Sequence, residues 1–417
     1  MSEQRVAVIL DDATFGAPVE VGTLRREKGS GAEVLRFFYA EAWLRRRTAF
    51  PLDPELPLHP GDFFSRLQSG MFGALRDTSP DRWGRVLMER REGVEARGQR
   101  RRPRRLSEWD FLLGVSDVTR IGALRLLDSE SGVFLDGRAL GAPPSTQLRK
   151  LQAIAKSLDR PGSEDHSEYE AWLRQLVVPG SSLGGARPKA TFAEPDGSLW
   201  IAKFPGQQDR FDVGAWEMLA HELAVRAKIN VPDARLLKLA RTHHTFAVRR
   251  FDRHQGGRRL YVSAMSLLVR EDGTPGSYLD VAQAIQDHGD PGSIMGDLAE
   301  LYRRAIFNVL VGNRDDHLRN HGFLRAPKGW RLSPAFDIDP NPDKDEHAIS
   351  LDGMIHSPSV EAIRATHELY RLKPAAAARI EKVVRAAFDG WELLAKDVGI
   401  RRAEVEGLSA VINASSE

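Results

Sequence analysis

The residues most able to do chemistry lie in a short polar loop that follows an apolar run, FNVLVGNRDDHLRN, at residues 307–320. Asp315 precedes Asn320 by five residues, and Asp337 follows that asparagine by seventeen residues. Phosphoryl transfer to a hydroxyl group uses these residue types in this order. One aspartate accepts the hydroxyl proton, and the asparagine and a second aspartate each bind magnesium. We therefore predict Asp315 as the catalytic base and Asn320 and Asp337 as metal ligands.

Two neighbours of Asp315 leave alternatives open. Asp316 is a second candidate for the base, although only Asp315 has the five-residue separation from Asn320. His317 is predicted to orient the loop or to contact a phosphate of ATP. A structural hydrogen bond is the alternative role for a lone histidine in such a loop.

A glycine-rich segment, GSSLGGARPKA at residues 180–190, precedes a predicted strand–turn–strand. Small residues let backbone amides approach phosphate oxygens, and the cationic side chains add positive charge. The segment matches neither phosphate-loop pattern, GxxxxGK[ST] or GxGxxG, so a plain hairpin turn is the alternative. The candidate ATP contacts in this segment are Gly184, Gly185, Ala186, Arg187 and Lys189.

A lysine stands inside an apolar strand, LWIAKFP at residues 199–205. A buried lysine is costly unless it is paired. In kinases such a strand lysine binds the α- and β-phosphates and pairs with a helix glutamate. We predict Lys203 as this residue and Glu217, in the helical run 213–227, as its partner. The alternative is an edge-strand lysine that reaches water.

The next strand, residues 245–249, ends in charged residues at the place in the order where a kinase hinge would contact adenine. Arg249, Arg250 and Phe251 are the candidate ATP contacts there. Backbone groups do most hinge work, so a purely structural strand is an equal alternative.

The composition bounds the class of protein. The 417 residues are 41% hydrophobic and 28% charged, which is typical of a folded globular protein. The 60 Lys and Arg nearly cancel the 58 Asp and Glu, so overall charge does not predict nucleic-acid binding. Cysteine is absent, which excludes disulfides, thiolate zinc sites and a cysteine nucleophile. The first apolar run is too short for a signal peptide and no stretch could span a bilayer, so a cytoplasmic location without membrane contact is expected.

The pattern of elements predicts an α+β protein with two domains. The first, residues 1–150, begins with strands at 6–10 and 34–39 and contains an amphipathic helix within 77–92. The second, residues 170–400, ends in a small helical bundle that begins near residue 361. Residues 160–166, rich in Pro, Gly, Ser and acidic residues, are the linker candidate between the two.

Residues 97–105 contain six arginines and little apolar content. A solvated loop is one interpretation, and a surface that faces phosphate or nucleic acid is the other.

Taken together, the segments resemble the HipA family, the serine/threonine-protein kinase toxins of type II toxin–antitoxin modules. The resemblance covers nearly the whole chain, and its motifs occur in the family's order. The matching pieces are DTSPDRWGR at 77–85, SLGGARPK at 182–189, IAKFP at 201–205, VPDA at 231–234, RFDR at 250–253, and the segments 312–320 and 334–337.

The resemblance implies an N-terminal α/β subdomain, a largely helical C-terminal kinase lobe, and ATP between them. It implies Mg²⁺ and ATP as cofactors, with Lys203 on the ATP phosphates and the glycine-rich loop over them. It also implies autophosphorylation of the serine at the start of that loop, here Ser182 with Ser181 as an alternative, which abolishes ATP binding. A phosphate adds a charge of about −1.5 to −2 beside an equally negative ligand.

The resemblance further implies a HipB-like helix-turn-helix antitoxin as partner, operator DNA bound through that complex, and a protein substrate such as an aminoacyl-tRNA synthetase. The chain departs from the family at Asp316, where others have glycine, and residues 260–265 lack the acidic segment that some members carry. Two rival functions stay open: a small-molecule phosphotransferase, and a catalytically silent co-repressor that binds the antitoxin and DNA.

Overall fold

A computed structural model describes residues 4–28, 33–135, 141–177 and 187–412. Within these residues the strands are β1 (Gln4–Leu10), β2 (Val19–Lys28), β3 (Glu33–Tyr39), β4 (Leu124–Asp128), β5 (Lys189–Ala193), β6 (Leu199–Lys203), β7 (Ala234–Leu237), β8 (Thr245–Arg249), β9 (Arg253–His254), β10 (Gly257–Arg258), β11 (Tyr261–Ser263), β12 (Gly322–Ala326) and β13 (Gly329–Leu332). The helices in the same residues are α1 (Glu41–Leu44), α2 (Gly73–Arg76), α3 (Arg82–Gly98), α4 (Glu108–Leu113), α5 (Leu148–Leu158), α6 (Tyr169–Val177), α7 (Val213–Arg226), α8 (Ala264–Leu267), α9 (Tyr278–His288), α10 (Ile294–Val311), α11 (Val360–Ala365), α12 (Pro374–Ala386), α13 (Trp391–Val398) and α14 (Arg402–Ile412).

The chain divides into two compact units. The first comprises Met1–Gln207 and Asp252–Asp272, and the second comprises Gln208–Phe251 and Gly273–Glu417. Helices and strands are mixed in both, so the predicted α+β class is confirmed. None of the helices in the described ranges is long and apolar enough to cross a membrane.

The first unit is built on an antiparallel sheet with strand order β3-β2-β1-β4. Leu35, Phe37 and Tyr39 alternate along β3 and are buried, as the two-residue period of a half-buried strand requires. The Phe37 ring packs edge-on against Tyr39, with 5.0 Å between ring centroids, and against Phe72 at 6.1 Å. This aromatic cluster fixes which face of the sheet is buried.

The DTSPDRWGR motif connects several segments of the first unit. Asp77 accepts hydrogen bonds from the backbone N and Oγ of Ser263, at 2.6 and 2.9 Å, at the start of α8. Asp81 caps α3 by accepting from the Gly84 amide at 2.8 Å. Arg85 donates two hydrogen bonds to Glu108 of α4, at 2.6 and 2.7 Å. These three charged side chains of the motif therefore each have a structural role in the first unit.

Strands β5 and β6 form the antiparallel hairpin predicted from residues 190–204, with Lys189 opposite Lys203. The amide of Ala193 donates to the Pro143 carbonyl at 2.9 Å, and α5 packs against β5. Because of these contacts the hairpin lies in the first unit. The limits predicted for the two domains, residues 1–150 and 170–400, stay predictions.

The second unit centres on α10, most of whose residues are buried. Helices α9, α11, α12 and α14 pack against it, and the other helix of the terminal bundle, α13, packs against α7 and α14. The predicted helical bundle from residue 361 is thus observed as α11–α14. The hairpins β7–β8 and β12–β13 are antiparallel. The candidate site residues of this unit follow the end of α10 and the end of β13.

The arginine cluster at residues 97–105 is partly neutralised. Arg101 and Arg104 both pair with the buried carboxylate of Glu92, and Arg104 also contacts Asp110 at 3.0 Å. The hydrogen bond from Arg101 holds the pKa of Glu92 down at about 2, below its ordinary value. Arg101 and Arg104 therefore bind acidic residues of their own chain, although all six arginines of the cluster are exposed.

Candidate functional site

The loop that carries the predicted base begins where α10 is stopped by glycine. Gly312 has φ 74°, in the left-handed region that glycine adopts most easily at a helix end. A Cβ atom there would lie 2.0 Å from Cγ1 of Val411. Both backbone conformation and space therefore require glycine, and the chain turns sharply into residues 313–317.

Asp315 lies in this loop with 56% of its side chain exposed. One carboxylate oxygen contacts the ammonium of Lys344, whose side chain is 45% exposed. The carboxylate is therefore within reach of an incoming substrate group.

Asp316, the rival base, has the opposite environment. It is 3% exposed, and its Oδ2 accepts hydrogen bonds from Tyr278 Oη at 2.5 Å, Asn308 Nδ2 at 2.8 Å and His321 Nε2 at 3.0 Å. Burial alone would raise the pKa of Asp316, but the charge and hydrogen bond of His321, with the Tyr278 hydrogen bond, hold it below its ordinary value. An ionised, fully engaged carboxylate is a structural anchor, so the geometry favours Asp315 as the base.

Asn320 ends a short 3-10 turn, Leu318–Asn320, five residues after Asp315. Its side chain is buried, and among the described residues its Oδ1 has no hydrogen-bond partner. A buried carbonyl oxygen without a donor costs free energy, and a bound cation would supply the missing interaction. His317, between the two, donates or accepts nothing through Nδ1 within the described part of the chain.

The segment that follows β13 positions Asp337. The Ala335 amide donates to the Asn230 carbonyl at 2.7 Å, and Arg304 of α10 donates to the Ser333 carbonyl at 2.8 Å. Asp337 itself has φ 58°, a conformation that non-glycine residues adopt rarely and that often marks functional positions. Phe336, directly before it, packs against Phe251 with 5.4 Å between ring centroids.

Asp337 lies in a cluster of three carboxylates. Oxygen atoms of Glu217, Asp337 and Asp339 lie within 4.8 Å of one another, and Glu217 is buried. Mg²⁺ prefers carboxylate and carbonyl oxygens, so this donor set fits the ion. The sequence pattern did not predict Asp339, because the kinase motif assigns a single aspartate to this place. The position of Asp339, two residues after Asp337, was the available signal.

The remaining predicted ATP contacts are distributed over both units. In the first, Lys203 is buried at the end of β6, and Lys189 forms a buried ion pair with Asp81, at 2.9 Å. In the second, Arg249 contacts Asp233 at 3.3 Å and Arg250 is buried. Their roles toward ATP, and the predicted pairing of Lys203 with Glu217, stay predictions. Ser181, Ser182, Gly184, Gly185 and Ala186 lie outside the described residues, and Arg187 is the first residue after that gap.

His347, near Asp316, makes the free energy of unfolding depend on pH. Burial lowers the pKa of His347 to about 4, opposed in part by the charge of Asp316. Between pH 6.5 and 4 the unfolded chain binds a proton that the folded chain does not, so stability falls as pH falls through this window. The loss amounts to about 3 kcal/mol.

We expect His347→Gln to remove the contribution of His347, about 3 kcal/mol, from the difference in unfolding free energy between pH 7 and pH 4. Exposed His254→Gln is the control and should leave it unchanged; equal behaviour of the two variants would contradict the assignment.

Comparison with known proteins identifies families and relatives that this chain resembles. The family models described as HipA-like C-terminal domain and HipA N-terminal domain match residues 181–391 and 15–127. "Putative kinase Y4mE" of Sinorhizobium fredii is 25% identical over an alignment of length 399 that covers 87% of this chain and 80% of the relative. "Putative kinase Y4dM" of the same organism is 27% identical over an alignment of length 215 that covers 47% of this chain and 49% of the relative.

A solved structure shares the fold. It is a chain of the Shewanella oneidensis MR-1 toxin–antitoxin complex of HipA, HipB and its operator DNA. The superposition has a TM-score of 0.70 at 17% sequence identity and covers 99% of this chain and 96% of that one. The predicted architecture is thereby confirmed.

Proposed function

The chain belongs to the HipA family, and from this membership and the geometry of its site we propose that it is an ATP- and Mg²⁺-dependent serine/threonine-protein kinase. One observation carries the proposal. An exposed Asp315 precedes a buried Asn320 whose Oδ1 has no hydrogen-bond partner among the described residues, and three carboxylates, including that of Asp337, cluster together. The kinase names of two relatives support it.

The chain's own residues divide the work. Asp315 is exposed, so it can accept the proton from a substrate hydroxyl as that oxygen attacks. Asp316 holds the loop in place through its three hydrogen bonds and takes no part in proton transfer. Rigid support of this kind keeps a base within the distance that proton transfer requires.

Asn320 and Asp337 would hold magnesium, with Asp339 and Glu217 as further oxygen donors. Bound magnesium neutralises charge on the phosphates during transfer. Lys203 would bind the ATP phosphates, together with the glycine-rich loop at Gly184–Lys189 and His317. Residues 249–251 would contact adenine.

The cellular role that we propose is that of the toxin in a type II toxin–antitoxin system. Its substrate would be a host protein of the aminoacyl-tRNA synthetase type, whose phosphorylation would halt translation. Its partners would be a HipB-like antitoxin and, through it, operator DNA. The proposal draws support from family membership and from the shared fold.

Self-inactivation gives a direct test. After incubation with ATP and Mg²⁺, we expect mass spectrometry to find one phosphate on Ser182, because the serine begins the loop proposed to cover ATP. Ser182→Ala should abolish the modification and prolong labelling of substrate from [γ-³²P]ATP, and Ser181→Ala is the matched control. Phosphate found only at other positions would remove the assignment. Label transferred to small metabolites and not to lysate proteins would favour a small-molecule phosphotransferase.

A further inference from the structure

The segment 341–348, which follows the proposed metal ligands Asp337 and Asp339, runs beside the loop that carries Asp315. The Asn341 amide donates to the Gly312 carbonyl at 2.8 Å, and the Ala348 amide donates to the Arg314 carbonyl at 3.0 Å. Arg314 Nη1 also donates to the carbonyl of Lys344. We call residues 341–348 the return segment. Its three contacts place it beside the loop on the side of Asp315.

Lys344 is positioned by this arrangement. Its backbone carbonyl is held by Arg314, and its ammonium contacts the carboxylate of Asp315. The acidic neighbour Asp343 is engaged elsewhere, by Arg210 at 3.2 Å. The ammonium is therefore directed at the base although the return segment itself is rich in acidic residues.

This ion pair contributes little to folding, because both partners are about half exposed and exposed pairs are screened by water. Its location gives it another use. A cation within contact distance of the proton-accepting carboxylate is also close to the hydroxyl oxygen and to the phosphorus that this oxygen attacks. Cationic side chains at this place stabilise the charge of a transferring phosphoryl group.

We propose that Lys344 is a further catalytic residue, which bridges the Asp315 carboxylate and the transferring phosphoryl group. The inference rests on the proposed kinase function and extends it to a residue outside the motifs found in the sequence.

The step balances without another reactant. The substrate oxygen forms a bond to the γ-phosphorus, and the bond from that phosphorus to the bridging oxygen breaks, leaving its electron pair on ADP. The hydroxyl proton passes to Asp315. Lys344 stays protonated throughout: it contacts the carboxylate before transfer and the phosphoryl oxygens as the carboxylate loses its charge.

The test compares Lys344→Met with Lys344→Arg, using initial rates of ³²P transfer from [γ-³²P]ATP to the chain itself and to lysate proteins. We expect Lys344→Met to lower kcat about 100-fold, the loss seen when one donor to a reacting oxyanion is removed. The KM for ATP should change less than about threefold, because the contact acts in the transition state. Lys344→Arg should recover a large part of the rate, and the melting temperature should not change.

Lys382→Met is the matched control, since Lys382 is an exposed lysine of α12 in the same unit. It should retain wild-type rates. Lys344→Met with a wild-type kcat would overturn the inference while the kinase proposal stands. Absence of transfer by the wild-type chain would instead remove the proposed function, so the two failures are distinguishable.

Discussion

Asp315→Gln is expected to lower phosphoryl transfer by about 1,000-fold, within the range that a positioned general base contributes. Glutamine is one methylene longer than aspartate and stays polar, and its uncharged amide cannot accept the hydroxyl proton. The melting temperature should stay near that of the wild type, because the exposed contact with Lys344 stabilises the fold by at most about 1 kcal/mol. Initial rates of ³²P transfer and a thermal unfolding curve measure the two effects.

The same substitution has a cellular readout. Expression of the wild-type chain should inhibit growth, and expression of Asp315→Gln at the same level should not. A variant that remains equally toxic would contradict the kinase-toxin proposal, whatever its rate in vitro.

Asp316→Ala is expected to destabilise the second unit by about 3–5 kcal/mol, the cost of removing one partner from a buried charged network. The substitution leaves the Tyr278 hydroxyl, the Asn308 amide and the His321 ring without their common acceptor. All three hydrogen bonds converge on one carboxylate oxygen, so one substitution breaks them together. Denaturant unfolding followed by circular dichroism measures the loss.

Tyr278→Phe separates the network from simple packing. It preserves the buried ring and removes only the hydroxyl that donates to Asp316 at 2.5 Å. We expect a loss of about 1.5–3 kcal/mol, typical of a hydrogen bond to a charged group. If Asp316→Ala unfolds at the same denaturant concentration as the wild type, Asp316 is not a structural anchor of the loop.

The two adjacent aspartates show what sequence spacing can and cannot decide. The five-residue separation from Asn320 chose Asp315 as the predicted base, a role that stays a prediction, but it gave no reason for an aspartate at the next position. The reason lies in the tertiary structure, where Asp316 accepts hydrogen bonds from Tyr278 of α9, Asn308 of α10 and His321. Spacing describes one chain segment, whereas an anchor is defined by elements that are distant in sequence.

For Lys189 the sequence predicts a contact with ATP, which stays a prediction, and the structure adds a partner within the chain. Its place beside the glycine-rich segment suggested a phosphate contact, because a lysine in such a loop is usually free to reach a ligand. In the structure its ammonium forms a buried ion pair with Asp81, more than a hundred residues earlier in the sequence. Such pairs are invisible to local patterns, since either residue alone resembles an ordinary surface charge.

By itself the sequence determined the class of fold, most strands and helices of the site, and the order of Asp315, Asn320 and Asp337. It could do so because hydrophobic periodicity and short-range spacing are local properties of the chain. Only the tertiary structure shows that Glu217 and Asp339 lie near Asp337. It also shows that Asp316 is buried and that Lys344 contacts Asp315. These features depend on loops whose paths are set by long-range backbone hydrogen bonds, and no local pattern specifies where such a path leads.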